Sequence, residues 1–241
     1  MAKVLWASPR APRRTVALPN PRRAAGMAFF TVLAAASAFA FDPSELNRIT
    51  FKNSTGERIV AIVFSPTDSA SWGPDILGAD SFLKDGDSIG CYVHYPPSSF
   101  KFDILASDEG GQTLQIHNFQ MTDESEGRVT FTPQDVVSAP PDLTFVTLTV
   151  QNGTDHDMQY LFLSPSDSKA WGGELLNDQT LPAGDSRSII VPVGRQTVAY
   201  NLMCADDKDN QYVSDITIDP SQGDTRTVSI GPDDLRPGAE K

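Results

Sequence analysis

Apolar residues along this chain recur mostly at every second position. Ile89, Cys91, Val93 and Tyr95 alternate with polar neighbours, and so do Phe100, Phe102, Ile104 and Ala106. A period of two places one side of an extended segment on a core and the other toward water, so both runs predict strands. Ile59 to Phe64 is apolar at every position, which predicts a central strand covered on both faces. Ile49 to Asn53, Thr113 to Phe119 and Arg128 to Thr132 complete the set. Turn chemistry separates these runs: Asn53-Ser54-Thr55-Gly56, Gly86-Asp87, Pro96-Pro97 and Asp108-Glu109-Gly110-Gly111. No segment carries the long 3.6-residue period of a packed helix; only a short helical turn is expected, near Ile76-Leu77.

The same programme is then written again. Ser65-Pro66-Thr67-Asp68-Ser69-Ala70-Ser71-Trp72-Gly73-Pro74-Asp75-Ile76-Leu77 returns as Ser164-Pro165-Ser166-Asp167-Ser168-Lys169-Ala170-Trp171-Gly172-Gly173-Glu174-Leu175-Leu176. The offset is 99 positions through this stretch and 98 in the strands that follow, where Tyr200 answers Phe102 and Asp206 answers Asp108. Self-similarity at a fixed spacing indicates one structural unit built twice. Short strands at regular spacing imply an all-β chain of two tandem immunoglobulin-like β-sandwich domains. Their expected limits are residues 41–137 and 148–235, with a proline-stiffened linker at 138–147 and a tail at 236–241. The Cys…Trp…Cys spacing of a true immunoglobulin domain is missing.

Charge changes the picture of the partners. Six of the nineteen Lys and Arg lie before Ala40, where there is no Asp or Glu, so the remaining 13 face all 31 acidic residues and the net charge beyond that point is −18. Such a surface repels nucleic-acid phosphates and anionic lipid heads, while divalent cations or basic proteins fit it more easily. The basic stretch through Arg23, the apolar run Met27 to Ala36 and the small residues Ala38-Phe39-Ala40 form the pattern of a signal peptide spanning residues 1–40. The apolar run is shorter than the roughly 20 residues a membrane span needs, so no stable membrane insertion is expected once the leader is cut. The expected location is periplasmic or extracellular, at the cell surface.

The order Asn-x-Thr-Gly, Ser-Pro-x-Asp-Ser-x-x-Trp-Gly-x-Asp-x-Leu, a Gly-Asp-Ser turn, and Phe-Asp-Ile before an acidic Gly turn resembles a group of exported bacterial modular proteins. The resemblance covers both halves, roughly residues 49–136 and 148–235. It implies export and modularity, and no activity. The second copy departs from the pattern at Asp155, Gly173, Glu174 and Asn177.

Candidate chemistry is sparse. Gly86-Asp87-Ser88-Ile89-Gly90 fits the Gly-x-Ser-x-Gly spelling of a nucleophile elbow, but Ser88 leads straight into a strand, whereas the elbow needs a strand-turn-helix setting. His94, His117 and His156 occupy unrelated positions in the two copies, as surface or strand residues would. Cys91 and Cys204 are each expected to point into the core of a different domain as unpaired thiols. Asn53-Ser54-Thr55 and Asn152-Gly153-Thr154 spell glycosylation sequons, although turn formation explains both. Trp72 and Trp171, beside a Gly in a polar loop, read either as lids on the sandwich or as exposed anchors for a protein or glycan. Carboxylates gather in the same loops: Asp68, Asp75 and Asp80 in one copy, Asp167, Glu174 and Asp178 in the other, a set that offers oxygens to calcium. The binding candidates are therefore Trp72, Trp171, Asp68, Asp75, Asp167 and Glu174, with no catalytic residue and no cofactor expected. The favoured function is a non-enzymatic exported binding or structural module of the cell envelope. A calcium-stabilised surface protein and a serine hydrolase centred on Ser88 are the alternatives.

Overall fold

The computed structural model describes residues 42–236 apart from Asp68, Asp80, 96–100 and 123–126. The expected leader, the expected turn at Pro96-Pro97 and the residues beyond Arg236 lie outside the described residues, as do the candidates Asp68 and Asp80.

The protein is mostly β, in several sheets. In the first half, β1 (Asn47–Asn53) pairs antiparallel with β3 (Ser88–His94) and parallel with β6 (Arg128–Phe131). β2 (Ile59–Pro66), β4 (Lys101–Asp108) and β5 (Thr113–Gln120) form an antiparallel sheet in that order. The second half repeats both sheets. β7 (Thr144–Asn152) pairs antiparallel with β10 (Ser186–Val193) and parallel with β13 (Thr225–Ile230). β8 (Met158–Pro165), β11 (Val198–Asp206) and β12 (Gln211–Ile218) make the other antiparallel sheet. The remaining strand, β9 (Gly172–Gly173), belongs to the second half but pairs with β3 of the first. The predicted strands appear, with one correction: Ile59 to Phe64, expected at the centre of a sheet, forms β2 at a sheet edge, and it is buried on both faces because the loop at Asp75 and Ile76 covers that edge. Near Ile76-Leu77 the chain bends and forms no helical turn.

Phe51 on β1 stacks on Phe64 of β2 at 5.8 Å between ring centres, so the two sheets of the first half meet face to face. Phe64 also packs against Phe102 and Tyr95, at 5.7 Å and 6.2 Å. Separations in this range are those aromatic pairs favour.

The two expected units do not keep separate cores: the described residues belong to one compact unit, and a single apolar cluster runs from Ile49 and Phe51 through Leu163 and Tyr200 to Ile230. Cys91 and Cys204 both lie in it as buried free thiols. Burial pushes both thiols well above their ordinary range.

Repeated polar residues set the turns. Asn53 is fully buried, and its Nδ2 donates to the carbonyls of Glu57 and Leu83 at 2.7 and 2.9 Å. Asn152 does the same toward His156 and Leu181, at 2.8 and 3.0 Å. Both sequon nitrogens are thus occupied inside the fold. Asp108 and Asp206 each close a hairpin by accepting backbone N–H groups, from Gln112 and from Lys208 and Asn210.

Candidate functional site: the seam between the repeats

The repeated Trp-Gly stretch crosses from each half into the other. The N–H of Asp75 donates to the carbonyl of Ile190, and that of Glu174 to the carbonyl of Tyr92, both at 2.8 Å. Glu174 answers Asp75 at an offset of 99 and Ile190 answers Tyr92 at 98, so the contact is reciprocal and the halves are related by an approximate two-fold. Further bonds bridge the seam. The Tyr200 hydroxyl donates to the Trp72 carbonyl at 3.1 Å, and Asn177 Nδ2 to the Ile76 carbonyl at 3.2 Å. Asp167, exposed, accepts from the Ser69 hydroxyl at 2.9 Å.

Asp75 and Glu174 serve the backbone. β2 and β8 are edge strands of their sheets, and an edge leaves a row of N–H and C=O groups unpaired. Asp75 Oδ1 accepts from the amides of Ile62 and Leu77, while the Ile76 amide donates to the Ile62 carbonyl. Glu174 accepts from Leu161 and Leu176 through Oε1 and from Asn177 through Oε2. Each carboxylate thus takes the place of a neighbouring strand. Burial raises the Glu174 carboxyl above its ordinary value, against the amide bonds, which act to lower it.

The two tryptophans part company. Trp171 is buried, its indole packed with Phe162, Met203 and Ala205 under Leu46 and Tyr160, and its Nε1–H has no acceptor among the described residues. Its backbone N–H donates to His94 Nδ1 at 3.2 Å, and His94 Nε2 meets Glu45 at 3.1 Å, so His94 is a buried seam residue rather than a surface one. The reading of Trp171 as an exposed anchor is therefore corrected to a lid. Trp72 is half-buried.

The calcium set does not converge. Asp75 and Glu174 are occupied by amides, and Asp167 by the facing loop. The one group of potential metal ligands among the described residues is His156, Asp206 and Asp207. There Asp206 already accepts four bonds, from Lys208, Asn210 twice and Tyr212, and Lys208 Nζ lies 3.3 Å from His156 Nδ1. An ammonium in that place repels a metal cation. Burial tends to raise the Asp206 carboxyl, but these bonds outweigh it and hold the group below its usual value.

Ser88 is exposed at the start of β3, with His94 at the other end. Six residue-to-residue steps of strand separate them by about 20 Å, far beyond hydrogen-bond reach.

One groove of about 360 Å³ opens on the seam. Tyr92 of β3 and Gln159 and Tyr160 of β8 contribute from two strands of different halves, and Glu174, Asp178 and Gln179 from the loop after β9. Pro43 and Leu46 supply a further wall, from a 3-10 turn capped by Asp42. Asn177 and Asp178 hold consecutive left-handed backbone, φ 52° and 61°, a conformation that Asn and Asp tolerate better than most residues. Of the groove residues only Glu174 is among the binding candidates read from the sequence. Tyr92, Gln159, Tyr160 and Gln179 carry no local motif. The signal that finds them is divergence between the copies at matched positions.

No family model matches the chain, and no curated protein matches it. Solved structures that share a distant likeness include the following two. One is a candidate adhesin from Bacteroides ovatus, at 9% identity and a TM-score of 0.21, covering 78% of this chain and 91% of that one. The other is a carbohydrate-binding module of Eubacterium rectale Amy13K solved with maltoheptaose, at 9% identity and 0.22, covering 78% and 93%. No helix among the described residues is long and apolar enough to cross a membrane.

Proposed function

We propose that this protein is an exported, non-enzymatic binding module of the cell envelope, made from a duplicated immunoglobulin-like sandwich unit of the kind found in exported bacterial modular proteins. Its ligand is a protein or glycan held at the seam groove. The observation that carries this reading is the groove itself: two tyrosines, two glutamines and two carboxylates brought together from both halves at a single opening. Concave sites that mix aromatic surface with a few polar groups are where ligands bind. The described groove residues include no Ser, Cys, Lys or His to act as a nucleophile or general base at neutral pH. The leader pattern and the strongly acidic mature surface support export and disfavour nucleic acid and anionic membrane as partners.

Capture from the native envelope tests it. The full chain should retain a specific partner, and Tyr160→Ala should lose that partner while still unfolding in a single cooperative transition. Equal capture by parent and variant would move the site off the groove. Turnover of an ester or peptide panel, abolished by Ser88→Ala, would overturn the non-enzymatic reading.

A further inference from the structure

The duplication supplies an internal control for the groove. Its matched positions on the other side of the seam hold Val60 for Gln159, Ala61 for Tyr160 and Ile190 for Tyr92. Those residues sit in the same strands with the same pairing, and Ile190 makes the same carbonyl contact as Tyr92. The fold therefore does not require the phenols or the Gln159 amide. They have been placed on one side only, as a ligand site would require. The wall from Pro43 and Leu46 is one-sided too, since the matched positions, Asp142 and Phe145, fall beside and within β7.

The chemistry of the lining narrows the ligand. No Lys, Arg or His lines the groove, while Glu174 and Asp178 do, so phosphorylated, sulfated or uronic ligands meet repulsion. A cationic ligand would compete with a cation already present: Arg48, opposite Tyr92 across β1 and β3, lies 5.9 Å from that ring's centre. What remains is an uncharged ligand rich in hydroxyls. The exposed Asp178 carboxylate accepts from hydroxyls, and the amides of Gln159 and Gln179 both donate and accept. Gln179 Oε1 already accepts from Arg187 at 3.2 Å, which commits the amide's N–H groups to donation. Phenol rings give flat apolar surface at low conformational cost. The cavity volume lies in the range of small-ligand sites, about 300–1,000 Å³.

Resting on the binding-module reading, we infer that the seam groove binds a neutral oligosaccharide, with Tyr160 offering a ring face to sugars, Tyr92 the face that Arg48 leaves open, and Gln159, Gln179 and Asp178 bonding the hydroxyls.

Calorimetric titration of the full chain with neutral tetrasaccharides of glucose, mannose, galactose and N-acetylglucosamine tests it, beside a uronic tetrasaccharide and a lysine-rich peptide. At least one neutral sugar should bind. Tyr160→Ala and Tyr92→Ala should each weaken it at least 10-fold, and Tyr160→Phe should restore most of the loss. Should either alanine variant fail to fold, Gln179→Ala and Asp178→Asn, both at exposed positions, should still weaken it several-fold. Ser88→Ala should leave it unchanged. Neutral sugar bound equally by parent and groove variants would overturn the site. No neutral sugar bound, with a protein still captured in a Tyr160-dependent manner, would overturn the sugar and leave the binding module. Binding of the peptide or the uronic sugar alone would overturn the charge argument, and silence in every arm together with no captured partner would end both readings.

Discussion

The two Trp-Gly loops are nearly the same sentence in two places, and the structure uses them differently. In the second copy, Gly172-Gly173 pairs with β3 at His94 and Val93. In the first copy the matched residues are Gly73-Pro74, and they face a strand in which Pro192 stands where His94 does. A proline has no N–H to offer Gly73, so the ladder shrinks to the bond between Asp75 and Ile190. The second loop closes tightly over its tryptophan and the first leaves Trp72 half-buried. A shared motif thus fixes where the loop goes, while single residues on the facing strand decide how firmly it is held.

The largest test of that comparison removes the buried carboxylates. Glu174→Ala orphans the amides of Leu161, Leu176 and Asn177, and should cost about 3 kcal/mol in urea unfolding; Asp75→Ala, with two amides, should cost about 2 kcal/mol. Equal losses would mean the two sides of the seam are held alike after all. Next come the glycines. A Cβ at Gly73 would lie 2.5 Å from the Phe64 carbonyl oxygen, a backbone atom that cannot step aside, so Gly73→Ala should lose about 2 kcal/mol. Gly172 has φ 75° but its Cβ would meet only the Tyr95 hydroxyl at 3.4 Å, and Gly172→Ala should lose about 1 kcal/mol. Tyr200→Phe removes the bond to Trp72 and should cost about 1 kcal/mol, whereas the matched Phe102 has no such bond to lose.

The smallest effect is a matter of sign with pH. Glu174, raised by burial, should lower stability as pH climbs from the ordinary carboxylate value to its higher folded one, and Glu174→Gln should flatten that slope. Asp206, held low by its bonds, acts oppositely. Its contribution is present above the ordinary carboxylate value and fades as pH falls toward its folded one, so Asp206→Asn should flatten the acid limb instead. Melting midpoints between pH 3 and 8 for the two variants would separate the contributions.

Much of the fold was legible because strand period and turn chemistry are local. Ile89-Cys91-Val93 announced β3, and the buried Asn53 and Asn152 were recognisable as paired turn formers. The shared core was not legible. Alternation says that a face is buried without saying against what, and the reciprocal crossing of Asp75 and Glu174 exists only once both halves are folded. The carboxylates were found for the wrong reason: their position in polar loops suggested cation oxygens, whereas the edge strands claim them. The groove escaped local reading because its residues are scattered from Pro43 to Gln179 in sequence and meet only across the seam.

That seam has one more consequence. In a symmetric pair of identical polypeptides every substitution is made twice, once on each side of the axis, so neither side can change without the other. With both halves encoded in one chain that constraint is gone, and Tyr92 can become a recognition residue while its twin stays an isoleucine that merely fills space.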